Sequence, residues 1–331
     1  MQGRTVSRRQ FAALLGAIVM GATGLAACGS SDTTTTDSKG LTDITVLRST
    51  GGTFEALIIA QQQGYFTDAG LNVDIKAGAS DTSQNVPSVI KNDAQFAMTD
   101  IGGLTSAVAQ GLGVKAVVQI QASSTSVAQS DGILVAKGSS ITSPKQLEGK
   151  KVALPVLGGN LQMMAEYSVA KAGGDPSKVK WVALPTASLL DSLNKGQVDA
   201  IDTYSIYYSE AIAAGAKSID KGSQELIGDP QSLIFASSSW LSKNASTASA
   251  FVKAYEKGAT YANAHPAAVR AVDKKYTTMD AKTIATRELQ AFDPVFNTKA
   301  VALTASNFYK FGLTDNKVTV DDLIWSGAPS K

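Results

Sequence analysis

Leu47-Arg48-Ser49-Thr50-Gly51-Gly52-Thr53-Phe54 is repeated in pattern by Leu154-Pro155-Val156-Leu157-Gly158-Gly159-Asn160-Leu161, at a constant offset of 107 residues. In each copy a strand-like run ends, three residues pass and two glycines follow. A Thr or an Asn then stands where a side-chain cap is expected, and an apolar residue opens a helix. A strand end, glycines that leave the backbone approachable, and a helix N-terminus with unpartnered N–H groups together suit an anion or a polar ligand. The other reading of each pair is a tight strand-to-helix turn.

A second repeat follows at a similar spacing. Asn92-Asp93-Ala94-Gln95-Phe96-Ala97-Met98, with a helix ending near Gly111, corresponds to Lys195-Gly196-Gln197-Val198-Asp199-Ala200-Ile201, with a helix ending near Gly215. Around these landmarks, strand-like runs at 44–47, 96–98, 152–154 and 200–201 alternate with helical patterns at 54–63, 104–110, 161–172 and 206–214. The alternation predicts the α/β class: two related lobes, each a mixed, mainly parallel sheet flanked by helices. From Ser242 onward the chain reads as helices, and Pro266 after Asn263-Ala264-His265 suits the first turn of a new one. Open α/β sheets bind ligands at the C-terminal ends of their strands, so the two Gly-Gly loops are expected to face each other across a cleft.

The N-terminus indicates where the protein works. Ser7-Arg8-Arg9-Gln10-Phe11, an apolar run over 12–19 and Leu25-Ala26-Ala27-Cys28 describe a secretory signal over 1–27, too short for a stable membrane span. Cys28 is the one cysteine of the chain, so no internal disulfide is possible and lipid attachment is the economical role. The segment resembles a lipoprotein lipobox, and the paired arginines resemble a twin-arginine export signal, with the general secretory route as the alternative. The small polar stretch 28–42 reads as a flexible tether holding the protein to the outer face of the cell membrane. Of 30 basic residues the signal carries Arg4, Arg8 and Arg9, which leaves 27 against 28 acidic ones in the mature chain. No Lys/Arg cluster remains to follow a phosphate backbone, so nucleic acid is excluded as a partner.

Three collinear segments resemble a known family. Ala60 with Gln63-Gly64-Tyr65-Phe66 and Ala69-Gly70-Leu71-Asn72-Val73-Asp74, then Ser143-Pro144-Lys145-Gln146-Leu147-Glu148-Gly149-Lys150-Lys151-Val152, then Lys195-Gly196-Gln197-Val198-Asp199-Ala200, are similar to the substrate-binding proteins of ABC importers for nitrate, sulfonates, taurine and thiamine-pyrimidine precursors. The resemblance implies a two-lobed type II periplasmic-binding-protein fold, with 43–136 and 236–331 as lobe 1, 137–235 as lobe 2, and 132–136 and 233–237 as the two crossings. It implies capture of a small polar or anionic organic solute, sulfonate-, nitrate- or taurine-like or an aromatic acid, and delivery to a membrane permease with a cytoplasmic ATPase. A thiamine-precursor pyrimidine or related heteroaromatic is the alternative solute. A monomer with no cofactor is expected. Asn92 and Arg48 depart from the family's habit of glycine and a small residue at those places.

Candidate solute contacts come from the strand-end loops: Ser49, Thr50, Gly51, Gly52, Thr53 and Phe54 in lobe 1, with Asp100 and Ser123 or Ser124 after later strands. Lobe 2 offers Leu157, Gly158, Gly159 and Asn160, then Asp202 and Tyr204. Phe54, Tyr204 and Tyr207 are candidate planar walls. Asp100 and Asp202 either line the cleft or cap the helix that follows each. Two carboxylates in the cleft would disfavour a multiply charged anion and favour an amine, ring nitrogen or hydroxyl.

The competing classes are a secreted enzyme and a sensor-type binding protein. His265, the single histidine, precedes Pro266 in the helical tail, and no second thiol exists, so neither a Ser-His or Cys-His nucleophile nor a His-based zinc site is expected. No Gly-x-Ser-x-Gly elbow or P-loop occurs. No enzyme activity is expected.

Overall fold

The structure, a computed structural model, describes residues 36–37, 40–50, 53–79 and 82–331. The export signal over 1–27, Cys28, most of the tether, and Gly51 and Gly52 lie outside the described residues. The strands are β1 (Thr42–Arg48), β2 (Leu71–Ala77), β3 (Phe96–Thr99), β4 (Val114–Ala122), β5 (Asp131–Val135), β6 (Lys151–Leu154), β7 (Lys180–Ala183), β8 (Ala200–Tyr204), β9 (Lys217–Ser218) and β10 (Pro230–Ser237). The helices are α1 (Glu55–Gln62), α2 (Tyr65–Asp68), α3 (Val86–Ile90), α4 (Ile101–Ala109), α5 (Asn160–Lys171), α6 (Leu189–Asn194), α7 (Ser205–Ala213), α8 (Ser238–Lys243), α9 (Ala245–Ala264), α10 (Pro266–Tyr276), α11 (Ala281–Thr286), α12 (Thr298–Lys310) and α13 (Val320–Leu323). No helix among the described residues is long and apolar enough to cross a membrane.

Two five-stranded sheets have the orders β2-β1-β3-β10-β4 and β7-β6-β8-β5-β9. The orders match position for position, because β1, β2, β3 and β4 correspond to β6, β7, β8 and β9. Only the fourth, antiparallel strand is exchanged. The chain leaves the first sheet through 123–130 and at once forms β5, antiparallel to β8 with Ile133 opposite Asp202. It returns through 219–229 and at once forms β10, antiparallel to both β3 and β4. The stretches 132–136 and 233–237, expected as crossings, therefore lie in sheets, and the crossings precede them. Their apolar character serves central strands, where both faces are covered.

The repeated sequences occupy equivalent places. Asn92 and Gly196 both take left-handed backbone, at φ 63° and 65°, just before β3 and β8. Asparagine is among the few non-glycine residues that tolerate this conformation, so its departure from glycine leaves the turn unchanged.

Alternation along the strands divides the cores. In the second sheet Ile133, Val135, Val152 and Ala200 pack with Ala165 and Val169 of α5, while Leu134, Ala153 and Ile201 pack with α6 and α7. In the first, Phe96 stacks on Phe251 of α9 at 4.2 Å and meets the edge of Trp240 at 5.2 Å, which fastens the helical C-terminal region to β3. A smaller cluster of Met163, Met164, Leu226 and Phe308 joins α5 to the second crossing and α12.

Candidate functional site

The C-terminal ends of β3 and β6 each lead into a helix, and those two helices meet. A Cβ placed on Gly102, in the first turn of α4, would lie 2.7 Å from the backbone nitrogen of Asn160, the first residue of α5. The strand-end loops of the two sheets thus face one another around this contact.

On the first-sheet side, Ser49 N–H donates to the Met98 sulfur at 3.4 Å, and Thr50 is exposed. Thr53 has φ 64°, and the residue at the N-cap of α1 is Phe54, without a side-chain cap. The expected Thr cap is absent because Thr53 makes the left-handed turn that precedes the helix. Phe54 is fully buried instead of walling a cleft, and the Arg48 guanidinium lies 4.2 Å from its ring centroid. Asp100 caps α4: its Oδ1 accepts from Gly103 N–H at 2.7 Å. Ser123 is buried and its hydroxyl accepts from Gln231, while Ser124 donates to Ser126.

On the second-sheet side, Gly158 has φ 77° and its N–H donates to Gln162 Oε1 at 2.7 Å. Gly159 takes the N-cap of α5 with extended backbone, so Asn160 is already helical and caps nothing. Asn160 is nearly buried, and its Oδ1 has no hydrogen-bond partner among the described residues. Asp202 does not cap α7, whose N-cap is Tyr204. It points from β8 into the core, where burial first, then the nearby Asp220 and Asp131, push its carboxyl well above the usual range. Its Oδ1 has no partner among the described residues.

The rim of this side is apolar. Val156, Leu157, Tyr204 and Ile206 are 60%, 49%, 46% and 53% exposed. The β6–β8 register pairs Val152 with Ala200 and Ala153 with Ile201, so these two parallel strands end on the same edge of the sheet. Thr53 and Ser205, both at helix starts on these loops, are two of the three non-glycine residues with positive φ among the described residues. Backbone strain of this kind costs roughly 1–3 kcal/mol and gathers at functional sites.

Sequence reasoning missed the floor between the sheets. Asp229 in the second crossing is fully buried, accepts from Thr304 of α12 and, at 3.1 Å, from Gln231. Burial pushes its carboxyl up to about 7, against hydrogen bonds from Thr304 and Asn160 that hold it down, with the Asp100 charge raising it further. These residues come from distant segments without a shared motif. Gly102-Gly103, separated from Asp100 by Ile101, was the available signal, a third glycine pair at a helix start.

Two cavities flank the facing loops and neither lies between them. One of about 340 Å³ separates α6 from α7 and includes Thr203, Tyr207 and Glu210, so Tyr207 belongs there. The other, about 310 Å³, lies beside both crossings and is lined by Ser123 and Ser124, which separates those serines from the strand-end loops. Helix starts and strand ends, and neither of these cavities, define the candidate site. Among the described residues no group of three or more His, Cys, Asp or Glu is placed to hold a metal ion.

Two sheets that exchange their antiparallel strands and oppose their strand ends make the type II periplasmic binding protein fold. The chain belongs to the NMT1/THI5-like family, whose model matches residues 52–269. It is 26% identical over 320 residues to YtlA of Bacillus subtilis (strain 168), named as a candidate binding protein, covering 91% of this chain and 90% of that one. Among solved structures it is similar to the periplasmic aliphatic sulphonate binding protein SsuA of Escherichia coli, at TM-score 0.71 and 19% identity over 87% of this chain and 94% of that one. It is also similar to the periplasmic nitrate-binding protein NrtA of Synechocystis PCC 6803, at TM-score 0.63 and 13% identity over 86% of each chain. Family and fold together give a solute-binding role.

Proposed function

We propose that this is the exported, lipid-anchored solute-binding protein of an ABC importer, which closes two lobes on a small organic solute and delivers it to a membrane permease. The lobes are the two sheets with their helices, hinged at 123–130 and 219–229, and the protein acts as a monomer without enzymatic activity. The observation that carries this reading is the meeting of α4 and α5 first turns, which brings helix N-termini from both sheets to one place. Solute touching both lobes then stabilises the closed form by its differential affinity for it. Backbone N–H groups of Gly159 and Asn160 and the unpartnered Asn160 Oδ1 supply polar contacts, and the side chains of Val156, Leu157 and Tyr204 supply an apolar wall. That wall favours an organic solute with a polar head, sulfonate or carboxylate, over a bare inorganic anion.

A heteroaromatic such as a thiamine-precursor pyrimidine is the second reading, favoured by the exposed ring of Tyr204 at a strand end. A thermal-shift screen of sulfonates, nitrate, aromatic carboxylates and pyrimidines tests both, since a solute at 100 times its Kd adds about 2.7 kcal/mol to stability. Stabilisation by an organic sulfonate or carboxylate supports the first reading, and by a pyrimidine the second. No stabilisation by any class, or turnover of the bound compound, would sink the binding-protein reading.

A further inference from the structure

Helix α4 begins Ile101-Gly102-Gly103-Leu104, and neither glycine has positive φ. Backbone conformation therefore does not require glycine, and each costs the helix roughly 0.5–1 kcal/mol relative to alanine. For Gly103 the reason is local: a Cβ would stand 2.7 Å from the Thr99 hydroxyl of the preceding strand. For Gly102 the reason lies in Asn160, across on α5, and in Phe308 of α12. Its Cβ would stand 2.7 Å from Asn160 N, 3.0 Å from Asn160 Cβ and 2.9 Å from the Phe308 ring.

Neither neighbour is the free end of a flexible side chain, so relief requires a helix or a packed ring to move. Asn160 N is backbone in the first turn of α5, and Phe308 is fully buried among Met163, Met164 and Leu226. Ordinary contact begins at 3.4 Å, so a methyl group here pushes the start of α5 back by about 0.7 Å. That helix start carries Gly158, Gly159 and Asn160. Displacements of this size near a hinge are amplified across rigid lobes.

We infer that Gly102 is the positioning residue that permits the two lobes to close, and that any side chain there acts as a wedge holding α5, with its solute-binding loop, away from α4. The inference rests on the two-lobe reading above. Gly102 touches no solute in this scheme; it sets how near the two solute-binding loops come.

The experiment needs no solute, so its failure is distinct from failure of the transport reading. Spin labels are placed on Lys91→Cys and Lys195→Cys, exposed residues beside the turns that precede β3 and β8, in a Cys28→Ser background. Pulsed electron double resonance then reports the distance between lobes. Gly102→Ala is expected to lengthen the mean distance by about 2 Å or more, while urea unfolding shows a folded, cooperative protein. Gly102→Ala combined with Phe308→Leu separates a wedge from core crowding, because Asn160 N remains in the way when the ring is gone. A distance lengthened in both variants supports the inference. An unchanged distribution in Gly102→Ala, or a wild-type distribution in the double variant, overturns it.

Discussion

Gly158 and Gly159 are neighbours in sequence with different obligations. Gly158 sits at φ 77°, where a β-branched side chain is strained by roughly 1–3 kcal/mol. Gly159 has φ −91°, and the nearest atom to a Cβ there is Val156 O at 3.9 Å. Gly159→Val should therefore fold with a loss of about 1 kcal/mol or less, the difference between glycine and an aliphatic N-cap. If the α5 N-terminus holds the solute, calorimetric titration with a compound found by screening should show affinity lowered at least about tenfold, or ~1.4 kcal/mol. Wild-type affinity would make the pair a structural turn. Gly158→Val is the contrasting variant, expected to lose stability first. The glycine pair was legible in the sequence because glycine is visible wherever it stands; which of the two is obligatory depends on φ, which composition does not carry. The two aspartates divide in the same way. Asp100 follows β3 and caps α4, whereas Asp202 lies within β8 and is buried near Asp220 and Asp131. Cys28 belongs to this scale too. Cys28→Ser should leave the protein soluble in the medium or periplasm and without labelled palmitate, since no other thiol can carry the acyl chain; equal labelling of wild type and variant would refute the anchor.

Helix α1 packs closely on α9 and is also tied to the helical C-terminal region by the Arg287 guanidinium. Arg287 reaches Glu55 at 2.8 Å in the first turn of α1 and Asp273 at 2.6 Å in α10, and both carboxylates are buried. Burial raises Glu55 to about 7 even with Arg287 beside it, so desolvation outweighs the ion pair. Removing one partner from such a group leaves uncompensated buried charge, a loss of about 3–5 kcal/mol. Arg287→Met should lower stability by that amount in urea unfolding at pH 8. At pH 5.5, where Glu55 holds its proton, the loss should be smaller. An equal loss at both values would show that Glu55 does not carry the effect. At the scale of elements the sequence predicted most helices and the central parallel strands, because periods of 3.6 and 2 are local properties. It did not reveal the exchange of β5 and β10. Both segments are short apolar runs, and which sheet accepts them is set by pairing partners: β5 against β8, some 70 residues on, and β10 against β3, more than 130 residues back. Helix α12 was legible as a helix and illegible as the floor of the site, since Thr304 and Phe308 meet Asp229 and Gly102 only through the tertiary fold.

The fold keeps several carboxyls out of water. Glu55, Glu166, Asp220 and Asp229 are each raised to about 7, with burial as the first cause, and Asp131 and Asp202 are raised as well. In the unfolded chain these groups lose their protons near pH 4. Between about pH 4 and 7 the folded protein therefore binds more protons than the unfolded one. Stability from these groups is complete below pH 4 and is lost as pH rises through 7. Asp175, Asp280 and Asp322 act oppositely, because neighbouring hydroxyls and backbone N–H groups lower them; their stabilisation is present above pH 4 and lost as pH falls below it. These three lie at the surface and weigh less than the buried set. The two trends place maximum stability near pH 4. The melting temperature of the solute-free mature chain should be higher at pH 5 than at pH 8, and in a protein of this size each kcal/mol corresponds to roughly 2–4 °C. Asp229 and Asp220 have separable environments, one at the junction of the second crossing with α5 and α12, the other bonded to Ile133 N–H and Ser168 inside the second lobe. Asp229→Asn and Asp220→Asn should each flatten part of the pH dependence, and the double variant should flatten more than either. A melting temperature that rises from pH 5 to pH 8, or a slope unaltered in the double variant, would show that these carboxyls are not the groups that bind the protons.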